Sequence, residues 1–177
     1  MHPIVYQIKK IIGEECKSQS GNPNRVNSET YHDRFLAFID MHGHSRKKNV
    51  FMYGPEFPIH DTRYLSMRII PKLMSENSEL FRFFSCNFRV SPSKERTARV
   101  VLWREFNITN CFTLESSFQG YFDSNRVTHD FMPSTFSKVG DVLQQSLFEY
   151  ILMKEEDERQ SVLKRKLKQQ QKENQKQ

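Results

Sequence analysis

The sequence predicts an α/β fold, a sheet with helices on both faces, and three observations carry that prediction. Short apolar runs fit strands at 35–41, 50–53 and 111–117. Helix-spaced apolar patterns alternate with them, which argues for a sheet layered between helices. The composition is that of an ordinary soluble domain, with 37% hydrophobic and 27% charged residues in 177. At that length one domain with a real core is expected.

In chain order, Pro3 to Glu15 places Ile4, Val5, Ile8, Ile11 and Ile12 at helical spacing, with Lys9, Lys10, Glu14 and Glu15 toward water. The Ser, Asn, Gly and Pro content of 16–28 reads as a loop. Phe35 to Met41 reads as a buried strand, Arg46 to Asn49 as a basic turn, and Val50 to Tyr53 as a short strand closed by Gly54-Pro55. Glu56 to Thr62 is a loop. Leu65, Ile69, Ile70, Leu73, Leu80 and Phe81 then fit a helix with a kink or break at Pro71. Phe83 to Val90 reads as a further strand, broken by Ser91-Pro92-Ser93. Ala98 to Trp103 is open between strand and helix on residue type alone. Cys111 to Ser117 alternates like a strand that buries Glu115. Pro133-Ser134 opens a last helix, Ser134 as its cap, with an apolar stripe of Phe136, Val139, Leu143, Leu147, Tyr150 and Ile151. Beyond Met153 the chain is almost wholly charged or Gln, which fits a solvated helical extension or a disordered tail.

Several classes are disfavoured. No apolar run reaches membrane-spanning length, and the N-terminus has no signal-peptide core, so no membrane partner is expected. Cys16, Cys86 and Cys111 are scattered and form no CxxC pair, which suits reduced thiols and a cytoplasmic location. The formal charge of +6 favours acidic partners, but much of it lies in the tail. That tail mixes in acids and carries no aromatic residue after Tyr150, so nucleic acid ranks low as a partner.

The stretch that draws attention is FIDMHGHSRKKNVFMYG, residues 38–54. An apolar run ends in His42-Gly43-His44, then Ser45 and three cations. On an extended backbone His42 and His44 project to one side, beside Asp40. Such a pair can hold a metal or orient a substrate, or it can be a satisfied structural pair in a basic loop. Glu115 is a lone carboxylate in an apolar strand, which needs either a partner or a function. A salt bridge to an arginine is the plain alternative. For Arg99 the plain alternative is a solvated cation.

Residues 38–54 closely resemble the third-ligand segment of the cytosolic carboxypeptidases, a branch of the zinc carboxypeptidases. Ser93-Lys-Glu-Arg-Thr-Ala-Arg99-Val-Val-Leu-Trp103-Arg and Cys111-Phe-Thr-Leu-Glu115-Ser-Ser-Phe-Gln-Gly120 fit the same branch, in the same order. The resemblance runs from His2 to about Tyr150. It implies the C-terminal half of a zinc-carboxypeptidase mixed sheet flanked by helices, contributing about four strands, and a short helix near Ala98. It divides the chain into a partial catalytic domain, 1–153, and a polar tail, 154–177.

The resemblance also implies roles. His42 takes the place of a Zn2+ ligand, and Glu115 that of the general base and acid, accepting a proton from zinc-bound water and passing it to the leaving amine. Arg99 would select a C-terminal glutamate by a charge-assisted pair, with Lys94 and Arg96 as weaker contacts and His44 near the substrate. Asp40 and Ser45 are candidates to support the ligand by hydrogen bonds, and Arg46, Lys47 and Lys48 form an electropositive rim. The implied function is a metallocarboxypeptidase that removes glutamates from acidic protein tails such as polyglutamylated tubulin. A cytoskeletal or ciliary association goes with that function.

The sequence departs from the family in three respects: it lacks the His-x-x-Glu pair of zinc ligands, it lacks the Asn/Arg stretch that binds the terminal carboxylate, and it has no clear equivalent of the tyrosine that classical carboxypeptidases place over the substrate. No His is followed three residues later by Glu, so one of three protein ligands for zinc is present and the chain by itself is expected to be inactive. The alternative reading is a non-catalytic module that binds acidic tails.

Overall fold

The computed structural model describes residues 3–18 and 35–174. Its centre is a three-stranded mixed sheet of β1 (Phe38–His44), β2 (Val50–Tyr53) and β3 (Cys111–Ser117), in the order β1-β3-β2. β3 pairs in parallel with β1, from Phe38↔Cys111 to His44↔Ser117, and antiparallel with β2, from Val50↔Ser116 to Tyr53↔Thr113. Flanked by two partners, β3 is buried along its whole length.

Alternation along the strands sends side chains to two helical layers. Val50, Met52, Phe112 and Leu114 pack against Ile70 and Met74 of α3 (Ile69–Asn77) and Val139 and Tyr150 of α5 (Pro133–Asn174). On the other face Cys111 meets Leu102 and Phe106 of α4 (Ala98–Phe106) and Ile12 of α1 (Pro3–Ser18). Helices thus cover both faces, as the α/β prediction requires. Asn110 clamps the layers where β3 begins: its Nδ2 donates to Leu36 O at 2.9 Å and to Tyr150 Oη of α5 at 3.0 Å.

β2 and β3 lie where the sequence pattern places them, and the helix at Ala98 where the resemblance implies it. β1 does not. It runs from Phe38 to His44 instead of 35–41, and it is half-buried to exposed instead of buried. The ladder to β3 decides its extent, not the apolar run. Gly43 lets it continue under the Phe118 ring, since a Cβ there would lie 2.0 Å from Phe118 Cζ.

Phe83 to Val90 is not a strand. It forms a 3₁₀ turn at Phe83–Ser85 and touches β2 through the isolated bridge Tyr53↔Asn87, while Phe81 just before it bridges Val50. Its backbone bonds to β2 at two places, through Val50 with Leu80 and Arg82, and through Asn87 with Met52 and Gly54. Between them Cys86 Sγ accepts the Met52 N–H at 3.2 Å. The turn interrupts the ladder, so this segment covers the edge of β2 without extending the sheet. Among the described residues the sheet has three strands, where the resemblance implies about four.

The break in the 63–81 helix falls before Pro71. α2 (Arg63–Ser66) ends, and α3 begins at Ile69 with Pro71 in its first turn. A proline ring clashes with the carbonyl four residues back, here Met67, so the chain breaks there. α5 starts with Pro133 as its first residue, and Thr135 Oγ1, not Ser134, accepts the Met132 N–H at 3.3 Å. In α1 the buried stripe is Val5, Ile8 and Ile12, whereas Ile4 and Ile11 are exposed. Lys9 does not face water but pairs with Glu105 of α4. α1 takes in Cys16 to Ser18 of the expected loop, and the rest of that loop lies outside the described residues.

A hairpin unforeseen in the sequence, β4 (Tyr121–Phe122) and β5 (Thr128–His129), follows β3. Asn49, buried at φ 67, ties it to β2: Nδ2 donates to Phe122 O at 3.0 Å, and Oδ1 accepts the Phe122 N–H at 3.1 Å. α5 continues through Met153 without a break, and its last turns expose Val162, Leu163 and Leu167. No helix among the described residues is long and apolar enough to cross a membrane.

Burial raises the Cys86 thiol to about 12, against smaller opposing effects of the Met52 N–H and Lys47, and raises the Cys111 thiol as well. An ordinary thiol is half ionised near pH ~8.5. At that pH iodoacetamide should label neither Cys86 nor Cys111 in the native chain, and both in denaturant. Mass spectrometry reads the result, and native-state labelling would contradict the burial.

Candidate active site

One face of the sheet is polar at its C-terminal end. Asp40, His42 and His44 alternate on β1, Thr113 and Glu115 on β3, and Tyr53 on β2. The register sets His42 beside Glu115, and Asp40 and Tyr53 beside Thr113. α4 covers the same face nearer the start of β3 through Leu102 and Phe106. Its second residue, Arg99, reaches under the sheet end, and Nη1 donates to Gly54 O at 3.0 Å. The space between is a cavity of about 910 Å³. Its walls include Asp40, His42, His44, Arg99 and Glu115, with Lys94 and Arg96 also lining it. The structure therefore gathers these seven predicted site residues around one cavity. Ser45 is not among the lining residues; its backbone carbonyl accepts from Gln119 Nε2 at 2.7 Å.

Glu115 is 8% exposed and Arg99 5%. Arg99 is not a solvated cation, and among the described residues Glu115 forms no salt bridge. A guanidinium carries five N–H donors, and among the described residues Arg99 makes a single hydrogen bond, to Gly54 O. Burial pulls its pKa down, opposed in part by Tyr53, Cys111 and Glu115. Burial first, and then the Glu115 charge, raise the Tyr53 hydroxyl, while Arg99 lowers it. A buried carboxylate and a buried guanidinium thus share the cavity without pairing with each other. Among the described residues neither has a partner of opposite charge.

The two histidines differ. His42 Nε2 lies 3.0 Å from Asp40 Oδ2, so the carboxylate orients the ring, and Nδ1 has no hydrogen-bond partner among the described residues. His44 Nδ1 accepts the Arg46 N–H at 2.9 Å and the Lys47 N–H at 3.4 Å. That nitrogen holds the β1–β2 turn, and Nε2 faces the Tyr53 hydroxyl at 3.5 Å. His44 is in this respect the satisfied structural histidine of the plain reading, and it still lines the cavity.

Sequence reasoning missed Tyr53, Thr113 and Arg89, which also line the cavity. Tyr53 and Thr113 were legible in part, because strict alternation from Glu115 and across β2 puts both on its face. Arg89 was hidden by reading 83–90 as a strand. Among the described residues no group of three or more His, Cys, Asp or Glu side chains could hold a metal ion. His42 alone does not make a zinc site, so these residues do not by themselves fit the metal that the resemblance implies.

The chain is 38% identical to cytosolic carboxypeptidase 1 of Danio rerio over 137 residues, covering 62% of this chain and 12% of that protein. It is 37% identical to cytosolic carboxypeptidase 3 of Mus musculus over 131 residues, 72% of this chain and 13% of that one. With cytosolic carboxypeptidase 2 of Mus musculus the identity is 45% over 96 residues, 53% of this chain and 11% of that one. No family model matches the chain. The chain is a relative of the carboxypeptidases. Its relatives are cytosolic carboxypeptidases, and it matches a small part of their length.

Proposed function

We propose that this chain forms the C-terminal part of a zinc-carboxypeptidase fold and supplies three working residues of a hydrolase that removes C-terminal glutamates from acidic protein tails. The observation that carries this reading is the pair of buried, mutually unpaired charges, Glu115 and Arg99, in one cavity beside His42. A buried cation with no carboxylate partner is costly in an empty site and favourable once an anion fills it. A glutamate side chain is such an anion. Arg99 receives it, Glu115 accepts a proton from the attacking water and returns it to the leaving amine, and Asp40 fixes the ring of His42. Zinc is the metal the family resemblance implies. His42 would be its one ligand from this chain, the others coming from residues outside it. Polyglutamylated tubulin tails are the substrate class this reading favours. The relatives' names support a cytoplasmic location, and a tubulin substrate would add the cytoskeleton or cilium.

Arg99 provides the test on the chain itself. Titration calorimetry with a short acidic peptide ending in Glu, and the same peptide ending in Gln, should show tighter binding of the first by roughly ten- to a hundredfold. That range corresponds to a charge-assisted pair of about 1.5–3 kcal/mol. Arg99→Ala should abolish the difference. Equal binding of both peptides to the parent chain would remove the main support for glutamate.

A further inference from the structure

A second concave basic surface lies beside the site, and the proposed chemistry does not use it. It encloses about 510 Å³ and brings together Lys47, Lys48, Arg82 and Arg126. These cations come from three separate segments. Lys47 and Lys48 lie in the β1–β2 turn, Arg82 in the stretch covering the edge of β2, and Arg126 in the β4–β5 turn at φ 62. Among the described residues none of the four forms an ion pair. The nearby carboxylates are turned elsewhere. Asp123 accepts from His129 Nε2 at 3.0 Å and from the Asn125 and Val127 N–H groups. Glu79 Oε2 accepts the Ser124 N–H at 2.9 Å.

The cluster is fixed in place. Lys48 Nζ donates to Thr128 Oγ1 at 3.0 Å and sits 4.4 Å from the centre of the Phe122 ring. Arg82 Nη2 donates to the carbonyls of Phe122 at 2.8 Å and Asp123 at 3.1 Å. It is also continuous with the site already described. Lys47 Nζ stands over Phe51 at 4.7 Å and Tyr53 at 5.8 Å, and Tyr53 is a wall of the Arg99 cavity.

We infer that this basic surface is a second anion subsite, which takes the side-chain carboxylates of an acidic peptide upstream of the residue held at Arg99. The choice of ligand rests on the acidic-tail reading of the first site. Four cations with no acid among them attract any polyanion. A peptide is favoured over a nucleic acid because the lining offers no base-stacking platform: Phe122 is its single aromatic residue and is covered by Lys48. Lys47, between the two cavities, would meet the peptide as it passes from one to the other.

The test uses the whole chain and an octaglutamate peptide labelled with a fluorophore on its C-terminal amide, so that its blocked end does not enter the Arg99 cavity. Fluorescence anisotropy should show binding that weakens with added salt. Lys47→Glu with Arg126→Glu should weaken it by roughly tenfold or more, as two reversed surface charges predict. Thermal melts verify folding, and Arg126→Glu alone, at an exposed side chain, gives the reading if the double variant fails to fold. No binding by the parent chain, or equal binding by the charge-reversed variant, overturns the subsite. So does tighter binding of an eight-nucleotide oligothymidylate than of octaglutamate at equal salt. If Arg99 fails to discriminate Glu from Gln while octaglutamate binding persists, the first reading falls and this surface stands.

Discussion

Glu115→Gln is expected to lower kcat by two to four orders of magnitude in a chimera of mouse cytosolic carboxypeptidase 2 that carries this chain's matching segment in place of its own. General acid–base catalysis contributes on the order of 10²–10⁴-fold. The amide keeps the shape and burial of the side chain but cannot accept the proton. Glu115 makes no side-chain hydrogen bond to another described residue, and its two strand neighbours, His42 and Phe51, fix its place through the backbone ladder. The exchange should therefore disturb little else, and KM should stay near the parent value, which separates proton transfer from recognition. Retention of kcat within a few-fold would remove Glu115 from the chemistry.

Phe112→Ala has the largest expected effect on stability. Phe112 is fully buried on the central strand, in the cluster that joins the sheet to α3 and α5. Truncating a core phenylalanine costs about 3–5 kcal/mol, through lost burial and the cavity left behind. That is a large share of the roughly 5–15 kcal/mol that holds a domain folded. Urea denaturation should show a lower midpoint with an unchanged slope. A loss under about 1 kcal/mol would mean that the two layers are not joined through this residue.

The parts of the fold legible in the sequence were those where local pattern and tertiary context agree. Val50 to Tyr53 is short, apolar and closed by Gly54-Pro55, and it is β2. Cys111 to Ser117 is bounded by Asn110 and Gly120, and it is β3. β1 was misplaced because an apolar run marks where a strand is buried, while pairing with β3 sets where it extends. Its exposed half, from Met41 to Gly43, carries no apolar signal beyond Met41. Residues 83–90 were misread because aromatic residues favour strands, yet here a 3₁₀ turn and the Cys86 thiol satisfy the backbone of β2. Of the site, His42 and Glu115 share a face by strand periodicity alone, once their strands are paired. Arg99 is different. It is one arginine among many, and only the packing of α4 against the sheet brings it to Gly54 and into the cavity.

The most direct measurement is the release of C-terminal residues by the folded, zinc-loaded chimera carrying the unaltered segment. The expected result is release of glutamate from a Glu-ended acidic peptide, with little release of glutamine from the matched Gln-ended peptide. A folded chimera that binds zinc and releases no terminal residue, or that releases both at one rate, would contradict the assignment of this segment to a glutamate-selective active site.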